Sequence, residues 1–214
     1  MKDILAGAAV GVSQTLVGHP FDTAKTLIQN KKPWIGLSFS SYYKGWRFPL
    51  VAGTVFNCTV FPIYERTVNY TQNSFTSGFL SGIIVSPFVY AFDVGKIKQQ
   101  TSQTIKLSDF YKTKGLASTY YRETLAMGTY FGSYFYMKEK EFHPLISGGV
   151  AGLCNWTLTY PLDSIRSRQI AQNITIKESI QQGKLWKGYS ICAVRAVIVN
   201  AISFWVYETV KNNL

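Results

Sequence analysis

The chain has 214 residues, of which 47% are hydrophobic and 15% charged, and its formal net charge is +11. So high a content of apolar and aromatic side chains excludes a disordered protein. Two histidines and three cysteines scattered through apolar runs form neither a disulfide framework nor a metal cluster in the sequence. We therefore expect no metal and no cofactor.

Runs with no charged residue, or only one, recur along the whole chain. They cover residues 4–21, 48–64, 67–92, 124–137, 144–162 and 188–207, the last of which contains Arg195. A bilayer span needs roughly 20 mostly apolar residues, and these runs lie near or just below that length. The pattern predicts an all-α membrane protein with six transmembrane helices, several of which turn a polar face inward.

The runs fall into three related blocks. Each block holds an aspartate, a base three residues later, and a basic residue followed by glycine. The aspartates are Asp22, Asp93 and Asp163, their bases are Lys25, Lys96 and Arg166, and the glycine pairs are Lys44-Gly45, Lys114-Gly115 and Lys187-Gly188. Successive aspartates are 71 and 70 residues apart. This register predicts three helical-hairpin repeats within one integral membrane domain, at residues 1–70, 71–141 and 142–214.

With six spans, both termini lie on one side and the loops within the repeats lie on the other. The loop side carries 15 Lys and Arg against 5 Asp and Glu, whereas the terminal side carries 5 of each. Basic loops mark the side from which positive charge is not translocated. Because the bases flank spans rather than alternate with aromatic residues on soluble helices, we expect no nucleic acid as a partner.

Glycines and prolines also recur at matched positions. The glycine pairs are Gly7 and Gly11, Gly78 and Gly82, and Gly148 and Gly152. Small residues four apart predict close helix approach in lipid. Pro20 and Pro161 predict kinks in their helices. In the second repeat Ala91 takes that position and Pro87 stands one turn earlier, which predicts a displaced kink.

The aspartates and their bases lie one turn apart on three symmetry-related helices. Charges at membrane depth are costly and usually face a bundle interior or a water-filled cavity. Repeat symmetry therefore favours a ring, in which each aspartate pairs with the base of another helix, over three local pairs.

The sequence resembles the mitochondrial carrier family over essentially its whole length. The resemblance rests on Pro20-Phe21-Asp22-Thr23-Ala24-Lys25, Asp93-Val94-Gly95-Lys96-Ile97-Lys98, Pro161-Leu162-Asp163-Ser164-Ile165-Arg166-Ser167-Arg168, Tyr43-Lys44-Gly45, Trp186-Lys187-Gly188, Tyr64-Glu65 and Tyr207-Glu208. It implies a pseudo-threefold, multi-pass monomer of the mitochondrial inner membrane, with both termini toward the intermembrane space. It also implies cardiolipin at the matrix side and alternating access for a small-molecule substrate.

The resemblance further implies two gates. At the matrix gate Asp22 pairs with Lys96, Asp93 with Arg166, and Asp163 with Lys25, and the glutamines that reinforce this gate match Gln29 and Gln100, with Ile170 in the third position. The cytoplasmic gate is incomplete. Its charged residues are Glu65, Lys138, Glu208 and Lys211, while Val68 and Phe135 take the other two positions. Only Glu65 and Lys138 remain in the family's pairing order, so we expect the matrix-open state to be less favoured.

Counting seven residues from each basic-linked glycine reaches Ala52, Arg122 and Arg195, which fall between the two gates. Buried arginines suit bidentate capture of a carboxylate or phosphate, and Glu123 adds an acceptor beside Arg122. The alternative is a structural Arg–Glu pair between helices. The candidate substrate-binding set also includes Phe56, Asn57, Asn200 and Tyr130, whose ring suits a quaternary ammonium.

In carriers that resemble this chain, an arginine followed by an acid at this position accompanies amino-acid-like substrates. The resemblance is closest to the carnitine and amino-acid branch, and it implies exchange of a zwitterion whose ammonium meets Glu123. Phe56 stands where ornithine-type carriers add an acid, which disfavours a dibasic substrate. A nucleotide carrier is the alternative, and a non-transporting carrier-like membrane scaffold is an alternative of another class. We expect no enzyme, because the sequence offers no nucleophile–base pair or metal cluster.

Overall fold

The computed structural model describes residues 2–142, 144–196, 198–199, 202 and 209, and it describes their side chains outside 2–10, 52–62 and 144–145. The long helices are α1 (Lys2–Gln29), α3 (Arg47–Thr71), α4 (Ser74–Gln100), α6 (Leu116–Glu139) and α7 (Pro144–Gln172). Between them lie the short helices α2 (Phe39–Tyr42), α5 (Asp109–Lys112) and α8 (Ile176–Gln181). A further helix, α9, covers residues 189–196. The described residues contain no strand.

The five long helices have 24 to 29 residues, or roughly 36 to 44 Å at 1.5 Å per residue. By length and apolar composition, α4 is the one described helix that qualifies as a membrane span. The others carry more polar residues, and in α6 several of these are buried. The buried polar residues of α6 are Ser118, Thr119, Glu123, Thr124 and Thr129. The interior face of this helix is therefore polar, which lowers its mean hydropathy.

Helices that follow one another in the chain are neighbours in space. The contacts run from α1 to α3, from α3 to α4, from α4 to α6 and from α6 to α7. A Cβ atom on Gly18 of α1 would lie 3.0 Å from Nη2 of Arg195 and 3.2 Å from Cγ2 of Val199. The first long helix, α1, therefore also lies beside the last described helical segment.

Among the described residues, the glycine pair of the second repeat brings two helix backbones together. A Cβ atom on Gly82 would lie 2.6 Å from the Glu123 carbonyl oxygen, and one on Gly78 would lie even closer to the Met127 carbonyl oxygen. These two glycines let α4 pack directly against α6. At Gly11, Gly148 and Gly152 no described atom lies within 4 Å of the corresponding position, so the same role for the outer pairs stays a prediction. Gly7 lies outside the described side chains.

A glycine with positive φ stands before each of α3, α6 and α9. The φ angles are 82° at Gly45, 133° at Gly115 and 93° at Gly188. Each glycine also approaches a helix of another repeat. A Cβ atom at these positions would lie 3.2 Å from the Lys96 carbonyl oxygen, 2.9 Å from Cγ1 of Ile170 and 3.4 Å from Cγ2 of Ile28, respectively. The basic residue plus glycine motif is therefore a turn that fits against the next repeat.

Pro20, Pro87 and Pro161 lie inside α1, α4 and α7, and each of these helices continues past its proline. The kinks predicted at these prolines stay a prediction. Past the ends of these helices, the connecting helices α2, α5 and α8 have only 4, 4 and 6 residues. The connections within the repeats are accordingly short.

Arg168 fastens one of these connections. Its guanidinium group is 1% exposed and donates to three carbonyl oxygens, at 2.8 Å to Gln29, 3.0 Å to Ser179 and 3.3 Å to Lys184. These carbonyls belong to the end of α1, to α8 and to the segment after α8. One buried side chain therefore joins the third repeat to the first.

Candidate substrate site and charged ring

Six charged side chains from α1, α4 and α7 meet in three ion pairs, and we call these six residues the ring. The nitrogen–oxygen distances are 2.6 Å from Lys25 to Asp163, 3.0 Å from Lys96 to Asp22 and 2.7 Å from Arg166 to Asp93. Each pair joins two different repeats. The structure thus brings together the three pairs that the family resemblance implies.

Asp163 and Arg166 also contact each other within α7, at 2.9 Å. The local pair and the cross-helix pairs are therefore both present. Asp163 is 3% exposed and Arg166 is 8% exposed. Charges this deeply buried depend on their partners, because removing one partner leaves the other uncompensated.

The two glutamines predicted to reinforce the ring make different contacts. The Gln29 amide donates to Oδ2 of Asp163 at 3.0 Å and to Oγ of Ser164 at 3.3 Å. The Gln100 amide donates at 3.1 Å to Oγ1 of Thr23, the residue next to a ring aspartate. Only Gln29 therefore bonds to a ring carboxylate among the described contacts.

In the third repeat, the position that corresponds to Gln29 and Gln100 is apolar, and so is the residue that it contacts. Ile170 is fully buried in a cluster with Tyr90 and Val94. Val94 takes the place that Thr23 and Ser164 hold in the other repeats, directly after the aspartate. An isoleucine thus faces a valine where the other repeats place an amide against a hydroxyl group.

A polar side chain three residues before each aspartate bonds to the loop that precedes the following long helix. The His19 ring donates to the Lys44 carbonyl at 2.9 Å, the Tyr160 hydroxyl donates to the Lys187 carbonyl at 3.2 Å, and the Tyr90 hydroxyl donates to the Thr113 carbonyl. Sequence analysis missed these contacts. The sequence does contain a pattern that could have predicted them, because a polar or aromatic side chain with a hydrogen-bonding group stands three residues before the aspartate in every repeat.

A cavity of about 350 Å³ lies against the ring. Its charged lining consists of five bases and four acids, namely Lys25, Lys96, Arg122, Arg166, Arg195, Asp22, Asp93, Glu123 and Asp163. Aromatic side chains, among them Phe88, Phe92 and Trp156, line it as well. In the described part of the chain, no group of three or more His, Cys, Asp or Glu side chains is placed to hold a metal ion.

The predicted central residues line this cavity and contact the ring. Oε1 of Glu123 accepts from Nη1 of Arg122 at 2.5 Å and from Nη1 of Arg166 at 2.9 Å. Nε of Arg195 lies 2.7 Å from Oδ1 of Asp22. Glu123 is 1% exposed. Glu123 lines the cavity beside Arg122, and it also forms an interhelical ion pair with Arg166. Its position is therefore compatible with both predictions from the sequence, a substrate-binding acceptor and a structural Arg–Glu pair.

Trp156 of α7 is a cavity residue that sequence analysis missed. Lys25 Nζ lies 4.5 Å from the centroid of its ring and Arg122 Cζ lies 5.4 Å from it. The indole ring therefore faces two cations within cation–π range. The signal in the sequence was its position two turns before Asp163, on the face of α7 that carries the ring aspartate.

Four of the remaining members of the predicted substrate set lie outside the described side chains, namely Ala52, Phe56, Asn57 and Asn200. Tyr130 is described, and its ring packs against Phe131, at 5.6 Å and nearly perpendicular, rather than lining the cavity. Its role in substrate binding stays a prediction. Tyr130 lies two turns beyond Glu123 along α6, which carries it away from the ring.

The predicted cytoplasmic gate is only partly described. Glu65 and Lys138 are both exposed, and no ion pair joins them in the described structure. Lys138 Nζ instead lies 5.7 Å from the centroid of Phe135. Glu208 and Lys211 lie outside the described residues. The tie predicted between Glu65 and Lys138 is therefore not formed in this conformation.

One acid outside the long helices has a shifted pKa. Asp109 of α5 accepts from the Lys106 backbone N–H at 2.8 Å and pairs with Lys98 at 3.0 Å. These two contacts hold the pKa of Asp109 below its usual range. They also tie the short helix α5 to the end of α4.

The chain is similar in sequence to a protein family and to several curated proteins. Residues 138–183 match the family model described as mitochondrial carrier protein. The chain is 27% identical over 269 residues to the mitochondrial arginine transporter BAC2 of Arabidopsis thaliana, which covers 97% of this chain and 89% of the relative. It is 28% identical over 263 residues to the mitochondrial basic amino acids transporter of Bos taurus, with coverages of 94% and 88%.

A third relative has a different substrate in its name. The chain is 26% identical over 281 residues to the glutamate/glycine mitochondrial carrier ymc1 of Schizosaccharomyces pombe, which covers 100% of this chain and 94% of the relative. This alignment is longer than the 214 residues of the chain. The relative therefore carries extra residues within the aligned region, in keeping with the short connections seen here.

Buried ion pairs between long helices thus lie beside a cavity whose lining combines charged and aromatic side chains. In sequence, the chain is similar to members of the mitochondrial carrier family.

Proposed function

We propose that the chain is a six-helix, pseudo-threefold carrier of the mitochondrial inner membrane that exchanges an amino-acid-like or carnitine-like zwitterion by alternating access. The observation that carries this proposal is the cavity in which Arg122, Glu123 and Arg195 lie directly against the ring. The relatives named as arginine, basic amino acid and glutamate/glycine transporters support an amino-acid-like substrate.

In the proposed complex, Arg122 or Arg195 binds the carboxylate and Glu123 binds the ammonium. Each of these side chains is already paired inside the protein, at 2.5 Å between Arg122 and Glu123 and at 2.7 Å between Arg195 and Asp22. A zwitterion exchanges these contacts for equivalent ones, so that no charge is left without a partner. The indole of Trp156 offers the substrate cation a further favourable surface.

The charge balance of the cavity supports a zwitterion over a dibasic substrate. Its lining has one more base than acid, and Phe56 stands where an additional acid is expected for a dibasic ligand. A second positive charge on the ligand would have no described acid left for it. We therefore propose a substrate with no net positive charge, even though two relatives are named for basic amino acids.

The proposed cycle opens the ring while the opposite end closes. Opening separates Lys25 from Asp163, Lys96 from Asp22 and Arg166 from Asp93, and it also breaks the Gln29 bond to Asp163. In this scheme the protein works as a monomer, the ring faces the matrix beside bound cardiolipin, and both termini face the intermembrane space. Substrate that occupies Glu123 removes one of the contacts of Arg166 and so favours ring opening.

A nucleotide is the second candidate, because five bases and four aromatic rings line the cavity. Arginines bind phosphate in a bidentate manner, and aromatic rings stack on bases. Glu123 distinguishes the two candidates, since a buried carboxylate repels a phosphate but binds an ammonium group.

The test is uptake into liposomes that contain the purified protein and matched internal substrate. The panel holds neutral, acidic and basic amino acids, carnitine, ribonucleotides and deoxyribonucleotides. We expect uptake of a zwitterion to fall by about 10- to 100-fold in kcat/KM in Arg122→Ala and Glu123→Gln. Arg66→Ala and Glu139→Gln are matched controls, because both residues are exposed outside the cavity lining.

Each other outcome changes the proposal in a defined way. Nucleotide uptake that is insensitive to Glu123→Gln would replace the zwitterion by a nucleotide. Equal losses in the control variants would remove the assignment of the site. No uptake of any compound by folded protein would favour a carrier-like scaffold over a transporter.

A further inference from the structure

The cavity has an apolar side in addition to its charged one. Five apolar side chains line it along α4 and the first turn of α3, and we call them the apolar wall. They are Phe48, Val85, Phe88, Val89 and Phe92. Val85, Val89 and Phe92 recur at intervals of four and three residues, which places them on one face of α4. From residue 85 to residue 92 this face extends over roughly 10 Å at 1.5 Å per residue.

Both ends of the α4 part of the apolar wall lie near Glu123. At one end, about one turn before the first wall residue of α4, a Cβ atom on Gly82 would lie 2.6 Å from the Glu123 carbonyl oxygen. At the other end Phe92 precedes Asp93, which pairs with Arg166 at 2.7 Å, and Arg166 donates to Glu123 at 2.9 Å. The ammonium group and the side chain of an amino acid are attached to the same carbon atom. One ligand can therefore reach Glu123 and the apolar wall together.

The phenyl group of Phe48 is held against α4 by a glycine. A Cβ atom on Gly95 would lie 2.7 Å from Cδ1 of Phe48 and even closer to two other atoms of the phenyl group. The missing side chain at residue 95 therefore makes room for Phe48. Since Gly95 stands between Asp93 and Lys96, the apolar wall continues along α4 to the level of the ring.

The hydroxyl groups of α4 near the apolar wall already donate within the protein. Ser86 donates to the Gly82 carbonyl at 2.6 Å, and Tyr90 donates to the Thr113 carbonyl. The sequence of α4 contains no charged residue before Asp93. A polar substrate group placed against the wall would thus lose its contacts with water and gain no equivalent ones from these residues, which is unfavourable. An apolar group loses nothing there and removes the wall from water.

We propose that the transported zwitterion is an amino acid with an apolar side chain of about the size of leucine, and that this side chain binds to the apolar wall. The inference rests on the proposed transport function and specifies its substrate. The relatives are named for arginine, basic amino acids, and glutamate and glycine. Those amino acids have a charged side chain or none, so this chain differs from its relatives in the substrate that it selects.

The first test compares amino acids of matched shape. Leucine, asparagine and aspartate branch at the same carbon atom and differ in polarity, while norleucine and lysine share a linear carbon chain that ends in an ammonium group only in lysine. We expect kcat/KM for uptake into liposomes to be about 10-fold or more higher for leucine than for asparagine, and for norleucine than for lysine. Thermal unfolding of the purified protein with each amino acid measures binding without transport.

The second test changes the apolar wall itself. Val89→Thr keeps the branched shape of the side chain and adds a hydroxyl group, so we expect the preference for leucine over asparagine to fall by about 3- to 10-fold. Ile84→Thr is the matched control, because Ile84 is an exposed residue of the same helix outside the cavity lining. This variant should keep the preference. Thermal unfolding without an amino acid shows whether both variants are folded.

The outcomes separate this inference from the transport function. Uptake of asparagine, aspartate or lysine that equals or exceeds that of leucine would overturn the inference and keep the transport function. A preference for leucine that changes equally in Val89→Thr and Ile84→Thr would also overturn it. Stabilisation by leucine, without uptake of any compound, would keep the apolar wall as a binding surface and reject transport. Neither stabilisation nor uptake by folded protein would reject both.

Discussion

The two ends of the bundle are held together by opposite chemistry. At the ring end, buried ion pairs and amide hydrogen bonds join α1, α4 and α7, and every ring pair crosses from one repeat to another. At the opposite end, hydroxyl groups and stacked rings join α3, α4 and α6, while Glu65 and Lys138 are exposed. Ion pairs can be exchanged for contacts with water or substrate when they separate, whereas an apolar contact loses its stabilisation once it is exposed. The contacts of the ring end can therefore be replaced when they separate, whereas separating the stacked rings of the opposite end would cost their packing.

The largest effect is expected at the centre of the ring. Asp163→Ala leaves Lys25 without its partner and removes one of the acids around Arg166, so we expect a loss of about 3 to 5 kcal/mol in the free energy of unfolding. Thermal unfolding in detergent measures it, with Glu139→Gln as an exposed control on α6. A loss no larger than in this control would contradict the assignment of the ring as the main stabilising contact of its end.

A glycine substitution tests the close packing of α4 on α6. Gly78→Ala places a methyl group against the Met127 carbonyl, and we expect it to cost about 1 to 3 kcal/mol of stability. Gly152→Ala is the matched control, because no described atom lies within 4 Å of its Cβ position and alanine favours the helix by up to about 1 kcal/mol. The same unfolding assay applies. Equal effects of the two substitutions would show that the second repeat is packed no more closely than the third.

A smaller effect is expected at Ile170, the apolar residue near the ring, and a second substitution should restore part of the lost stability. Ile170→Gln buries an amide against Val94 and should cost about 1 to 3 kcal/mol of stability. Adding Val94→Thr supplies the hydroxyl that Thr23 provides for Gln100, so the double variant should recover part of the loss. A double-mutant cycle measures the coupling. Additive losses would mean that the two side chains do not act as a pair.

The smallest effect is expected at Asp109 of α5 and depends on pH. Because its pKa is lowered in the folded protein, its contribution to stability is present above its unfolded pKa and is lost as the pH falls through the folded value. Asp109→Asn should therefore lower the unfolding temperature slightly at about pH 7, and this loss should shrink as the pH falls below the unfolded pKa of about 3.9. A loss that keeps its size as the pH falls would assign Asp109 a role other than its charge.

Much of the ring follows from the sequence. An aspartate and a base one turn apart in three repeats of equal register place six charges at one level, and the family resemblance supplies the pairing order. The contact of Glu123 with Arg166 does not follow in this way. It depends on how far α6 is shifted along its axis relative to α7, which no local pattern encodes.

The glycine pairs also show that a local sequence pattern does not determine which helices come into contact. All three have the same spacing, yet within the described part of the chain it is Gly78 and Gly82 that lie against another backbone. The spacing makes a close approach sterically possible, but the partner helix decides where it occurs. Hydropathy is similarly limited, because buried polar residues such as Thr119 and Thr124 of α6 lower the apolar score of helices whose polar face is turned inward.

The order of the ring pairs has a consequence for biosynthesis. Lys25 belongs to the first repeat and its partner Asp163 to the third, so 138 residues separate the two members of this pair along the chain. While the protein is being made, Lys25 and Asp93 remain without their partners until the third repeat has emerged. A shortened product that ends before α7 would keep these charges exposed at membrane depth, where they are costly. Completion of the ring thus distinguishes a finished molecule from a partial one.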